Sequence, residues 1–169
     1  GVAPVGAGVA RYRTGGDGTC GSGGAAMSGE SMPLTMPAPG DVVASEQVRL
    51  RLPDLVRYAG ASGDFNPIHW NHRVATEVGL PDVIAHGMLT MASAARVLDG
   101  WLGDPGRVES FAVRFTAPVV VPDDGEGAEL TITVTAAEVL DDGRLRVDVT
   151  TSVAGVPVLG QASAVIRVG

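Results

Sequence analysis

Between Tyr58 and His69 the chain reads Tyr-Ala-Gly-Ala-Ser-Gly-Asp-Phe-Asn-Pro-Ile-His, which sets a carboxylate (Asp64), an amide (Asn66) and an imidazole (His69) within six residues. Gly63 and Pro67 are strong turn formers, so the three groups are expected on a bent loop. His86 follows His69 by seventeen residues, and Ala85-His86-Gly87-Met88 opens a long apolar run. A carboxylate and an imidazole near a helix N-terminus can activate water and polarise a carbonyl. Each residue also has a plainer reading. Asp64 fits a turn aspartate bonded to its own backbone, His69 a structural loop histidine, and Asn66 a support for the turn before Pro67. His86 fits a packing or backbone-bonding group, and Gly87 a flexible link.

The elements that must hold these groups follow from periodicity. Residues 42–50 alternate in part and read as a strand. Pro53 suits the first turn of a helix and Asp54 complements its dipole. That helix is expected to run through Leu55, Val56 and Ala59 and to stop before Gly63. Residues 71–79 read as a short helix closed by Gly79. From Gly87 to about Leu102, apolar residues cover most of a helix's circumference, the pattern of a buried helix, and Gly103 and Pro105 end it. Beyond it the period is two. Phe111, Val113 and Phe115 share a face, as do Leu130, Ile132, Val134 and Ala136, then Leu145, Val147, Val149, Thr151 and Val153, and lastly Ala162, Ala164, Ile166 and Val168. Asp141-Asp-Gly143 is a hairpin signal, and Gly155-Val-Pro157 is expected to turn the chain again. Strands with one dry face read as antiparallel. One long buried helix with such a sheet predicts an α+β fold, with the sheet curled around the helix.

The 169 residues suffice for one domain with a real core. Residues 1–38, rich in Gly, Ala, Ser and Pro, are expected to bury too little surface to offset their ordering entropy. The domain is placed at 39–169. Met27, Met32 and Met36 are each candidate starts, so residues 1–26 are expected to be dispensable. A net charge of −7 argues against nucleic acid and anionic membrane as partners. The sequence has no lysine, which reads as composition bias. The single cysteine, Cys20, leaves no internal disulfide and fits a reducing compartment. The apolar runs are too short to span a bilayer, and no basic start precedes an apolar stretch. A cytoplasmic location is expected.

The segment from Tyr58 to Ala75 resembles the signature of the MaoC-like R-specific enoyl-thioester hydratases, also called type 2 enoyl-CoA hydratases. It carries Ser62-Gly63-Asp64-Phe65-Asn66-Pro67-Ile68-His69 and the small residue Ala75. The signature often has a larger aliphatic group where this chain has Ala61. The second block, Ile84-Ala-His-Gly-Met88, also matches. Within the family, Asn66-Pro-Ile-His-Trp70, Ile84 to Met91, Trp101-Leu-Gly-Asp-Pro-Gly106 and Val113-Arg-Phe-Thr-Ala117 are most similar to the B subunits of mycobacterial (3R)-hydroxyacyl-ACP dehydratases. The similarity runs from about residue 40 to the end.

The resemblance implies a hot-dog fold, paired as a homodimer or with a second, non-identical hot-dog subunit. It implies a hydro-lyase of fatty-acid metabolism that needs no cofactor. The implied reaction is hydration of trans-2-enoyl thioesters, or dehydration of (3R)-hydroxyacyl thioesters, on CoA or acyl carrier protein. It assigns catalysis to Asp64, His69 and Asn66, with Gly87 at the thioester carbonyl. Phe65, Trp70, His86 and Met88 are candidate substrate-lining residues. Ser62 and Ser93 are candidates to bond the carboxylate, and Arg73, Arg96, Arg107 and Arg114 to form a basic rim for the carrier. A hot-dog thioesterase and a non-catalytic acyl-binding subunit of a heterodimer are the rivals. A zinc site on His69, His72 and His86 is chemically conceivable, but its spacing is loose and the signature uses no metal.

Overall fold

The computed structural model describes residues 8–13 and 35–168. Among them, six antiparallel strands form one sheet in the order β1-β3-β6-β5-β4-β2, with β1 at Val9–Arg13, β2 at Val42–Leu50, β3 at Val108–Phe115, β4 at Ala128–Val139, β5 at Leu145–Val153 and β6 at Val156–Ile166. Helices α1 (Leu52–Ser62), α2 (His72–Glu77) and α3 (Gly87–Leu102) lie between β2 and β3 in sequence. The sheet curls around α3 in the hot-dog arrangement. The period-two faces expected from the sequence are those that close on the helix: Leu130, Ile132, Val134, Leu145, Val147 and Ile166 are fully buried, as are Ala94, Val97 and Leu98 of α3. Among the described residues no helix is long and apolar enough to cross a membrane.

Three sequence expectations need correction. Val9–Arg13 falls in the segment expected to lack structure, yet it is a strand paired from Val9↔Arg114 to Arg13↔Ser110. Without it β3 would be an edge with unpaired backbone groups, a demand set by the sheet and invisible in the composition of the tail. Residues 1–7 and 14–34, with Cys20, Met27 and Met32, lie outside the described residues. Helix α3 is not buried all round: Met88, Ala92, Arg96 and Gly100, spaced by four along one face, stand exposed. The last turn falls at Ala154 and Gly155, both at positive φ, so Pro157 lies inside β6.

Candidate active site

The loop after α1 is wound by side chains bonding to backbone. Gly63 ends the helix at φ 75°, a left-handed conformation that costs glycine little. Ser62 Oγ donates to the Tyr58 carbonyl at 2.7 Å and accepts from the Asp64 N–H at 3.2 Å. Asp64 Oδ1 accepts from the Asn66 N–H, and Asn66 Oδ1 from the Ile68 N–H, each at 3.2 Å. Asn66 thereby caps the 3-10 turn Pro67–His69. Neither Ser62 nor Ser93 reaches the carboxylate; Ser93 Oγ donates to the Leu89 carbonyl instead.

This winding leaves Asp64 Oδ2 facing His69 Nε2 at 3.9 Å, with the carboxylate side chain 53% exposed and the imidazole 9%. The opposite ring nitrogen, Nδ1, donates to the Ile84 carbonyl at 2.7 Å. A carbonyl only accepts, so the neutral ring carries its hydrogen on Nδ1 and turns the Nε2 lone pair toward Asp64. Ile84 is itself pinned. Its N–H donates to the Ile68 carbonyl at 3.2 Å, it bridges to Val120, and the neighbouring Ala85 N–H donates to Val119 at 2.8 Å. The 3.9 Å separation is too long for a direct hydrogen bond. One water at ordinary hydrogen-bond length from both atoms would subtend about 90°. Burial holds the His69 pKa below the ordinary histidine range, and the neighbouring His86 also lowers it. The Ile84 carbonyl and the Asp64 carboxylate oppose the shift without cancelling it.

Gly87 opens α3, and an N–H at the first helical position has no acceptor inside the helix. It lines a cavity of about 440 Å³ together with His69, Ile84, Thr90, Phe115 and Val119. A Cβ at Gly87 would meet the Phe115 ring at 3.2 Å, so glycine keeps the mouth of this cavity open. The base His69 and the positive end of a helix dipole at Gly87 therefore border one space.

The profile of the MaoC like domain matches residues 35–153. The chain belongs to this family. A solved MaoC-like dehydratase is similar at 40% identity and a TM-score of 0.75, over 79% of this chain and 41% of that one. The 3-hydroxyacyl-thioester dehydratase X of Mycobacterium tuberculosis is 36% identical over 96 residues, 57% of this chain and 33% of the relative. The (R)-specific enoyl-CoA hydratase of Rhodospirillum rubrum is 36% identical over 83 residues, 48% of this chain and 56% of the relative. The chain thus spans a third to just over half of these curated relatives.

In this MaoC-like domain the remaining sequence candidates scatter. Phe65 and Trp70 are exposed beside Asp64, joined by a bond from Trp70 Nε1 to the Phe65 carbonyl at 3.1 Å. Met88 borders a second cavity, about 320 Å³, with Tyr58, Met91, Leu98 and Phe111. His86 is 2% exposed and borders neither space, lying behind the His69 ring. Arg107 is also buried, donating to the Val168 carbonyl at 3.0 Å, and so is no part of a basic rim. Arg73 and Arg96 face Glu77 and Glu46. The Ile84 carbonyl that fixes the His69 tautomer is backbone, so no side chain announces it in the sequence.

The three-histidine grouping does not form, because His72 Nδ1 pairs with Asp82 Oδ1 at 2.9 Å. Asp64 takes its place, with ligand atoms of Asp64, His69 and His86 within 4.8 Å of one another. The donor geometry does not suit a metal. His69 and His86 stack at 3.7 Å between ring centroids and 23° between planes, so their lone pairs lie in separate, nearly parallel planes. A tetrahedral ion needs lone pairs that converge. EDTA treatment is expected to leave turnover unchanged; inhibition reversed by zinc would overturn this.

Proposed function

We propose that this chain hydrates trans-2-enoyl thioesters, and by the reverse path dehydrates (3R)-hydroxyacyl thioesters. The observation that carries the reading is the water-sized separation between Asp64 Oδ2 and His69 Nε2, with His69 and Gly87 lining one cavity. In this mechanism Asp64 and Nε2 hold one water. His69 Nε2 takes a proton from it as the oxygen bonds to C3. The C2–C3 π electrons shift toward the thioester, whose oxygen becomes the enolate oxygen held by the Gly87 N–H. The same acid-base pair returns a proton to C2. Asn66 serves by holding the loop, since its side-chain oxygen is engaged with the Ile68 N–H.

The relatives' names support thioester chemistry of this kind. CoA and acyl carrier protein both remain within the proposal. So does a second hot-dog unit over the site: Asp64 is half-exposed and flanked by Phe65, 62% exposed, and Trp70, 42% exposed. Apolar side chains around an open carboxylate favour a cover that excludes water. A cytoplasmic location, suggested by the lone cysteine, belongs to the same proposal.

Incubation with crotonyl-CoA tests it. Loss of the enoyl absorbance with formation of (R)-3-hydroxybutyryl-CoA is expected. Release of free CoA would instead indicate a thioesterase. No turnover, alone or with a partner subunit, would indicate a scaffold.

A pH profile adds a second check. Hydration needs neutral His69, and burial keeps the ring neutral to a lower pH than usual. The acid limb of kcat/KM is therefore expected below the ordinary value of 6.5. The unfolded chain takes up that proton first, so stability should also fall as pH drops from 6.5 toward the lowered value. An acid limb at or above 6.5 would remove buried His69 as the base.

A further inference from the structure

Resting on the hydration reading, we infer that His86 is a positioning residue that acts on both members of the Asp64–His69 pair at once. Its Nε2–H donates to the backbone carbonyl of Asp64 at 3.1 Å, across 22 positions of sequence. Its ring stacks on His69 with 3.7 Å between centroids. Tyr58 also packs against it, with ring centroids 4.9 Å apart and planes tilted by 58°. One side chain thus ties the carboxylate's loop to the start of α3 and sets the plane of the catalytic imidazole.

Its role as a helix cap does not explain its placement. His86 occupies the N-cap of α3 but makes no side-chain capping bond. It is 2% exposed, and its Nδ1 is buried with no partner. An orphaned buried nitrogen costs free energy that an apolar ring of similar shape would avoid. The bond to the Asp64 carbonyl is what imidazole supplies and such a ring would not. The titratable groups facing His69 are Asp64, from the loop after α1, and His86, from the start of α3. Tyr58 of α1 reaches His86 and closes the set.

The test compares His86→Phe, which keeps a flat ring and loses the donor, with His86→Gln, which keeps a donor near the Nε2 position and loses the ring. Hydration of crotonyl-CoA by His86→Phe should fall about a hundredfold in kcat with KM little changed, as expected for misplacement of reacting groups by about 1 Å. His86→Gln should recover part of that loss. In both variants the His69 ring, followed by NMR, should titrate at a higher pH than in the wild type, because an imidazole that lowers it is gone. A rise in KM with kcat retained would overturn the inference and make His86 a substrate contact. Equal loss in both variants, in step with lowered melting temperature and with unmoved His69 titration, would reduce it to a structural residue. A wild type inactive on crotonyl-CoA would remove the hydration reading. The NMR titration still reports on the ring contact in that case, so the two failures are told apart.

Discussion

Asp64→Asn is expected to lose about 10³-fold in kcat on an enoyl thioester while the protein stays folded, because general acid-base help of this kind is worth roughly 10²–10⁴-fold. The substitution is selective. An asparagine oxygen can still accept the Asn66 N–H, so the bond that winds the loop survives. What changes is the atom facing His69. The carboxylate Oδ2 3.9 Å from Nε2 gives way to a neutral amide, which has no negative charge to hold the water or to balance the proton that His69 takes. Little stability is at stake, since the Asp64 side chain is 53% exposed and its contact with His69 is too long for a hydrogen bond. His69→Gln removes the proton acceptor itself and is expected to lose at least as much. Circular dichroism and thermal melting establish folding, and the enoyl absorbance gives the rate. Turnover within tenfold of wild type in either variant would show that the pair does not carry the chemistry.

The parts of this site that were legible in the sequence are those whose physics is local. Gly63, Asn66 and Pro67 direct a turn through their own dihedral limits and side-chain caps, so the bend that brings Asp64 toward His69 is written within a few residues. The buried face of α3 and the dry faces of β4 and β5 follow from periods of 3.6 and two. What the sequence withheld is non-local. His86 read as a packing or backbone-bonding group, but its partners, the His69 ring and the Asp64 carbonyl, were not legible, because they depend on where α3 begins relative to a loop 22 positions upstream. Arg107 looked like a surface cation and is buried on the Val168 carbonyl, a contact across 61 positions. The strand at Val9–Arg13 exists because β3 offers an edge, a property of the assembled sheet.

Replacing Gly87 with proline should isolate the backbone donor, which no ordinary side-chain change removes. Proline at the first position of a helix is well tolerated, because the N–H it lacks has no intrahelical partner and its fixed φ suits the helix. The preceding residue must be extended, and His86 already is, at φ −58° and ψ 134°. The variant therefore deletes the N–H proposed for the enolate oxygen with little demand on the backbone. A loss of about 10²–10³-fold in kcat is expected, the usual cost of one oxyanion donor. The ring must still share space with Phe115, since even a Cβ at this position would sit 3.2 Å from it. Gly87→Ala supplies the control: it makes the same contact with Phe115 but keeps the N–H. If proline costs far more than alanine, the donor carries the effect. If both fall together, the narrowed approach past Phe115 explains the loss and the Gly87 amide is not the enolate's partner.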